Sequence, residues 1–257
     1  MRQNTLKLRL LDRQPCRGLW LSLPNVATVR LLARMPFDWL VVDAEHGPMG
    51  AETMTQMVAA IADAGRAPIV RVAQGNVENI KRALDAGAWG IIAPMVNSAA
   101  QAEAVVAAAK FPPLGQRSFG SAWAGLTLGM SMAEYRREAN SQILVLPQIE
   151  SKEALDHLDA IVRVRGIDGV FVGPVDLAIS LGVEPDLDNP HPLVRKALDD
   201  IVRAAGTQGL PAGIYCSSAS AAAEWIRQGF LLVNVVSDVG ALLQGVRTQL
   251  EWTPETT

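Results

Sequence analysis

The chain has 257 residues, about half of them apolar, and a formal net charge of −3 built from charges of both signs. That balance gives no support to a nucleic-acid or membrane-surface role, and without an apolar run of about 18 residues no membrane span is indicated. Cys16 and Cys216 are the whole cysteine complement; they make no metal-ligand pattern and read as two reduced thiols of a cytoplasmic protein.

The N-terminal stretch through Arg17 alternates apolar and basic residues and lacks the apolar core of a signal peptide. No low-complexity segment or linker divides the chain, so residues 1–257 read as one domain. Short Val/Ile/Leu-rich runs recur along it: Gly18–Leu21, Trp39–Asp43, Pro68–Val72, Gly90–Ala93, Leu144–Gln148, Gly169–Val172, Ala212–Tyr215 and Leu231–Val235. They lack polar/apolar alternation, as expected of parallel strands covered on both faces.

Helical patterns separate them. Glu52–Ile61 carries apolar residues three and four apart. Asn76 is an N-cap for Val77–Asp85, with Gly87 as the stop. Ser98 caps an Ala-rich helix running to Lys110, and Ser218 caps Ala219–Gln228. Eight such alternations match a (β/α)₈ barrel, a TIM barrel; a doubly wound open sheet is the alternative, because alternation does not fix closure. Two connections exceed ordinary loops. Phe111–Gln142 and the Pro-rich Leu181–Pro192 are expected over the C-terminal face, where insertions shape a substrate pocket.

The polar residues at the strand exits are the candidates for chemistry. Asp43, Glu45 and His46 follow the second strand, and Arg71 interrupts the third. Gln148 and Glu150 close the fifth, and Gly173-Pro174-Val175-Asp176 follows the sixth. Carboxylates on neighbouring strand ends can converge, and Glu150 with Asp176 would offer two hard oxygen ligands to Mg²⁺ or Mn²⁺. His46, beside two acids, suits general-base work; the plain alternative is a turn histidine bonded to backbone. Arg71 needs an anionic partner, either a substrate or a structural pair with Asp43 or Glu45. Asp176 opens a short helix whose N–H groups at Val175 and Asp176 favour an anion; the plain alternative is an N-cap. The lysines fall in helices or their ends, which argues against Schiff-base chemistry.

These residues, in this order, resemble the HpcH/HpaI aldolase family over roughly Gly18 to Leu243. The most specific segments are Phe37–Pro48, Arg71-Val72, Leu84–Pro94, Gln148-Ile149-Glu150 and Val172–Leu177. The resemblance implies a metal-dependent (β/α)₈ barrel of the phosphoenolpyruvate/pyruvate superfamily type, commonly hexameric, with its last helix exchanged between subunits. It implies a class II pyruvate aldolase that cleaves 4-hydroxy-2-oxo acids to pyruvate and an aldehyde. By the same resemblance Glu150 and Asp176 are the metal ligands for Mg²⁺ or Mn²⁺, His46 the base and Arg71 the transition-state cation. Gln148, Gly173, Pro174 and Val175 contact substrate, and Asp85 supports the histidine. Asp85 ends the helix before the fourth strand, so it would serve a histidine only across a subunit interface; Asp43 is the competing partner.

The chain departs from many family members at Ser118-Phe119-Gly120 and Trp123, where added bulk near the mouth would alter the aldehyde accepted. Arg117 is the candidate cation for an acidic aldehyde. The rival readings are a citrate-lyase-like or malyl-CoA-type lyase and a non-catalytic 2-oxo acid binder. No membrane or nucleic-acid partner is expected.

Overall fold

The computed structural model describes residues 3–250. Eight strands occur: β1 (Cys16–Leu21), β2 (Trp39–Asp43), β3 (Ala67–Arg71), β4 (Gly90–Ala93), β5 (Leu144–Ile149), β6 (Val170–Val172), β7 (Ala212–Ile214) and β8 (Leu232–Ser237). They pair in parallel, each with the next, and β8 closes on β1. The fold is therefore a (β/α)₈ barrel, and the open-sheet alternative falls. Every residue of β2 to β7 is buried, which explains why none of those strands shows a polar stripe.

The helices begin where the cap residues predict. The side chains of Asn76, Ser98 and Ser218 accept from Asn79, Gln101 and Ala221 N–H, starting the helices Val77–Asp85, Ala99–Ala109 and Ala219–Arg227. Gly87, at φ +98°, terminates the first of them in a conformation other residues rarely adopt. Close approach also demands glycine inside the barrel. A Cβ at Gly18 would sit 2.1 Å from the indole of the fully buried Trp39.

The segment Phe111–Gln142 corrects an expectation. It follows a helix, not a strand, so it lies at the N-terminal end of the barrel rather than over the C-terminal face. It is also structured, holding the helices Trp123–Leu126 and Met132–Gln142, the second with a Ser131/Glu134 capping box. Leu181–Pro192 does lie on the C-terminal side, where Asp188 accepts from the Ser217 hydroxyl just past β7.

The N-terminal end is closed by polar pinning. The Asn4 amide donates to the carbonyls of Trp89 and Gln142, at the entrances to β4 and β5. Asn4 also caps the helix Thr5–Leu11, which the alternating apolar and basic pattern there does not signal. Beside it the buried Lys110 ammonium donates to the Asn140 and Ile143 carbonyls and to Asp168, which also pairs with Lys7. Burial pulls the Lys110 pKa down while Asp168 holds it up.

At the other end the Asp238 carboxylate accepts from the N–H groups of Ser22 and Leu23, fastening the β8–β1 seam. Asp238 opens the C-terminal helix Asp238–Leu250, whose Leu242, Leu243 and Val246 are exposed. Both thiols are buried. Burial raises Cys16 to about 11 and Cys216 to about 12. Among the described residues no helix is long and apolar enough to cross a membrane.

Replacing Lys110 with Met leaves the half-buried Asp168 with Lys7 as its remaining ammonium partner and takes a donor from the Asn140 and Ile143 carbonyls. The expected cost is about 3 kcal/mol, or a fall of roughly 6–12 °C in the thermal midpoint. An unchanged melting curve would show that the ammonium contributes nothing net.

Candidate active site

The strand exits converge on one cavity of about 480 Å³ at the C-terminal end of the barrel, the end where such barrels hold their chemistry. Its walls include Trp20, Asp43, His46, Arg71, Gln148, Gly173, Val175, Asp176 and Tyr215. The residues that line it come from almost every strand, so the closure of the sheet assembles them.

Arg71, at the end of β3, is the most constrained. Its Nε donates to Asp43 Oδ1 at 2.9 Å and its Nη2 to Asp43 Oδ2 at 2.6 Å. Nη1 lies 3.0 Å from Glu45 Oε2, and the guanidinium stacks 4.8 Å over the Trp20 ring. Two of its five N–H groups bond to Asp43, and Nη1 pairs with Glu45 by charge alone, so N–H groups remain for a ligand. Asp43 is committed in turn. Trp20 Nε1 donates to Oδ2 at 3.1 Å, and the N–H groups of Glu45 and His46 donate to Oδ1. Burial alone would raise the Asp43 pKa, but the Arg71 pair outweighs it and brings the carboxyl below its usual range.

The imidazole of His46 makes no bond to Asp43. Its nearest carboxylate is Glu45, with Nε2 to Oε2 at 4.0 Å, and its side chain is 68% exposed toward the cavity and solvent. Burial pushes Glu45 up against the pull of Arg71 and His46. Glu45 is thus a member of the site, although the sequence suggests for it only an ion pair with Arg71. Its adjacency to His46 in the Asp43–Pro48 turn is the available signal.

Across the cavity the Glu150 carboxylate is buried, with Oε1 accepting from Met95 N–H at 2.7 Å and Oε2 accepting from the Gln148 amide. Met95 holds a left-handed conformation, φ +54°, uncommon without glycine. Desolvation raises the Glu150 pKa; its two hydrogen bonds oppose this, while Glu45 and Asp176 reinforce it. Asp176 is the third residue of the short helix Pro174–Ser180, whose N-cap is Gly173. It is therefore not the cap, and it is exposed where it lines the cavity. First-turn N–H groups at Val175 and Asp176 have no intrahelical acceptor. Gly173 is needed for close approach, since a Cβ there would lie 2.5 Å from Glu150 Oε2.

Four carboxylates, Asp43, Glu45, Glu150 and Asp176, surround this space with one guanidinium, a formal surplus of three negative charges when all are ionised. No group of three His, Cys, Asp or Glu side chains placed to hold a metal occurs among the described residues. The two carboxylates at β5 and β6 nevertheless fit a hard divalent cation that keeps water or takes substrate oxygens. Such a cation would offset the desolvation, and the lesser repulsion from Glu45 and Asp176, that raise the Glu150 pKa. The buried Gln148 Oε1, which has no hydrogen-bond partner, adds an unpaired acceptor beside them.

Asp85 is not brought to this cavity. It lies at the opposite end of the barrel, its Oδ1 accepting from Arg117 Nη2 at 2.9 Å. Arg117 is buried, donates to the Tyr135 hydroxyl and stacks on Phe111. It is no cation at the mouth of its own barrel. Phe119 and Trp123 share a cleft with Asp85 at that same far end, so they do not narrow this mouth either.

With the geometry in place, the relatives are informative. The family model of the HpcH/HpaI aldolase/citrate lyase family matches residues 17–244. The chain belongs to this family. It is 39% identical over 245 residues to a hydroxypyruvate/pyruvate aldolase of Pseudomonas aeruginosa, covering 95% of this chain and 90% of that one. It is 37% identical to a 4-hydroxy-2-oxo-heptane-1,7-dioate aldolase of Salmonella arizonae, covering 95% and 92%. A crystal structure of a family member from Burkholderia cenocepacia superposes with a TM-score of 0.89 at 35% identity, covering 96% of this chain and 98% of that one.

Gly173→Ala should displace the Glu150 and Gln148 side chains and lower turnover at least tenfold with the circular dichroism spectrum retained; full activity would show that the cradle tolerates a methyl group. Asp43→Asn leaves Arg71 buried with half its compensation, and should cost about 3 kcal/mol near neutral pH. Because the folded-state pKa is depressed, this contribution is complete above the usual aspartate range and disappears as pH falls through the lowered value. Urea midpoints of the two proteins should therefore converge on acidification; a constant gap would contradict the pairing.

Proposed function

We propose that the protein is a divalent-metal-dependent class II pyruvate aldolase. It reversibly cleaves 4-hydroxy-2-oxo acids to pyruvate, or a related 2-oxo acid, and an aldehyde. The observation that carries the reading is the meeting of open Asp176, Arg71 and His46 around one cavity, with the buried Glu150 carboxylate directly behind its Gln148 and Gly173 wall. The names of the curated relatives support the same class of reaction.

Glu150 and Asp176 would hold Mg²⁺ or Mn²⁺, which supplies Lewis acidity toward the 2-oxo acid when bound. Arg71 lines the cavity, and the N–H groups that Asp43 leaves free would stabilise negative charge growing on the keto oxygen as the C3 carbanion delocalises. Asp43 keeps the guanidinium fixed, so little reorganisation is needed when that charge appears. Gln148, Gly173, Pro174, Val175 and Asp176 form the wall against which the 2-oxo acid lies, with the Val175 and Asp176 N–H groups available to its carboxylate. His46, at the open rim, takes the proton of the C4 hydroxyl, directly or through a water, as the C3–C4 bond breaks. In the synthetic direction it returns the proton to the new alkoxide.

The functional unit is proposed to be an oligomer, commonly a hexamer in this family. The uncovered apolar residues of the helix Asp238–Leu250 support an exchanged C-terminal helix. Asp85, remote from its own cavity, would then serve the His46 of a neighbouring subunit, whereas Glu45 is the carboxylate nearest that histidine within one chain.

The deciding experiment is exchange of the pyruvate C3 protons in D₂O, followed by NMR without aldehyde. Exchange is expected with Mg²⁺ or Mn²⁺ and absent after chelation. Glu150→Gln and Asp176→Asn should lose it at least a hundredfold, whereas His46→Ala should keep metal binding and lose aldol cleavage. Metal-independent exchange, or none under either condition, would overturn the reading.

A further inference from the structure

The cavity is chemically divided. Going round the barrel, the exits of β2 to β6 carry every ionisable group of the reaction site: Asp43, Glu45, His46, Arg71, Glu150 and Asp176. The remaining arc, from β7 through β8 to β1, carries one carboxylate, Asp238, which is buried against the Ser22 and Leu23 N–H groups and does not line the cavity. It presents Tyr215, Ser237, Ser22 and Trp20, so it is a wall of hydroxyls and aromatic faces.

This wall is built rather than incidental. The Tyr215 ring meets the Trp20 ring edge-on, with centroids 5.2 Å apart, and Trp20 is held by its bond to Asp43. Tyr215 N–H donates to the Val172 carbonyl, which fixes the phenol one strand away from the Gly173–Asp176 turn. Ser237 Oγ accepts from Gly240 N–H, so its rotamer is set by the backbone. Asp238 anchors Ser22 through its main-chain N–H. Burial pushes the Tyr215 phenol up, with Ser237 opposing as a hydrogen-bond partner, so the phenol keeps its proton near neutral pH.

The second fact is the lack of a spare cation. Among the described residues Arg71 is the single Lys or Arg lining the cavity, and it faces Asp43 and Glu45. Arg117 is buried at the far end and held by Asp85 and Tyr135, so a neighbouring subunit that brings Asp85 to the mouth brings it already paired, with no free cation. A second carboxylate on the substrate would meet a surplus of negative charge that one divalent cation leaves uncancelled, and would be desolvated without a partner. A hydroxyl would instead find donors and acceptors on the neutral arc.

We infer that this aldolase selects uncharged, hydroxylated aldehydes over carboxylated ones, and that Tyr215 and Ser237 are the specificity-determining residues that read the aldehyde hydroxyl. The inference rests on the proposed aldolase activity and adds the acceptor class. It separates this chain from its relative named for a heptane-1,7-dioate, whose substrate carries a second carboxylate.

The test uses the metal-loaded, full-length protein with pyruvate and two matched aldehyde pairs: lactaldehyde against propanal, and succinate semialdehyde against butanal. The ratio of kcat/KM within each pair is the readout, corrected for aldehyde hydration. The wild type should favour lactaldehyde by at least about tenfold and should favour butanal over succinate semialdehyde. Tyr215→Phe should shrink the lactaldehyde preference by several-fold to about tenfold, the loss expected for one hydrogen bond. Ser237→Ala should shrink it too, and reports independently should the tyrosine variant fail to fold.

A wild-type preference for succinate semialdehyde, or unaltered ratios in both variants, would overturn the inference while C3 exchange left the aldolase reading standing. No aldol reaction with any of the four, together with no exchange, would bring down both.

Discussion

The site depends on the neutralisation of one buried guanidinium. Arg71 sits at the end of an otherwise apolar strand, where an unpaired positive charge would cost several kcal/mol. Asp43 answers it with both oxygens. The same carboxylate also accepts from the N–H groups of Glu45 and His46, so it organises the turn that leaves β2. One ion pair therefore aims Arg71, shapes the turn and sets His46 at the cavity rim. It also takes Asp43 out of play as a partner for the imidazole, because its lone pairs are already used. The residue beside the histidine in sequence, Glu45, inherits that position.

Much of this is legible in the sequence, for identifiable reasons. Strands covered on both faces read as unbroken apolar runs, and β2 and β4 occupy the predicted residues. Caps are local chemistry, so Asn76, Ser98 and Ser218 mark their helices without tertiary information. The strand-exit residues stand out because polar groups at the ends of buried strands need a reason to be there. The commitments between them do not. Whether Asp43 bonds to Arg71 or to the imidazole depends on rotamers and on the facing register of β2 and β3. The helix Thr5–Leu11 escapes because its anchor is tertiary, an Asn4 amide reaching carbonyls 85 and 138 residues away. The placement of Phe111–Gln142 obeys a general rule of barrel connectivity. A connection leading from the last full helix of a unit into the next strand lies at the N-terminal end of the barrel, and bulk in it cannot crowd the mouth of its own barrel.

The two ends of the barrel carry different kinds of polar structure. At the N-terminal end, Lys110, Asp168 and Asn4 are buried or half-buried and bonded to carbonyls or opposite charges, and Arg117 pairs with Asp85 although its Nε has no partner. They hold the strand entrances in register. At the C-terminal end the charges are unbalanced and polar atoms such as Gln148 Oε1 lack partners. That imbalance is stability the folded chain forgoes by itself and recovers with a bound cation and substrate, the usual pattern for a preorganised site. The aromatic and hydroxyl arc completes the cavity without adding charge.

The two cysteines carry a practical corollary. Burial lifts the Cys216 pKa to about 12, and burial with the nearby Asp38 charge lifts Cys16 to about 11 against Arg9, so the thiolate fraction near neutral pH is minute. Thiol-directed reagents such as maleimides therefore meet an unreactive native chain. A cysteine introduced at an exposed site such as Glu103 would be the only fast-reacting thiol among the described residues. A fluorescent label can thus be attached without first removing Cys16 or Cys216, and the barrel core stays as nature packed it.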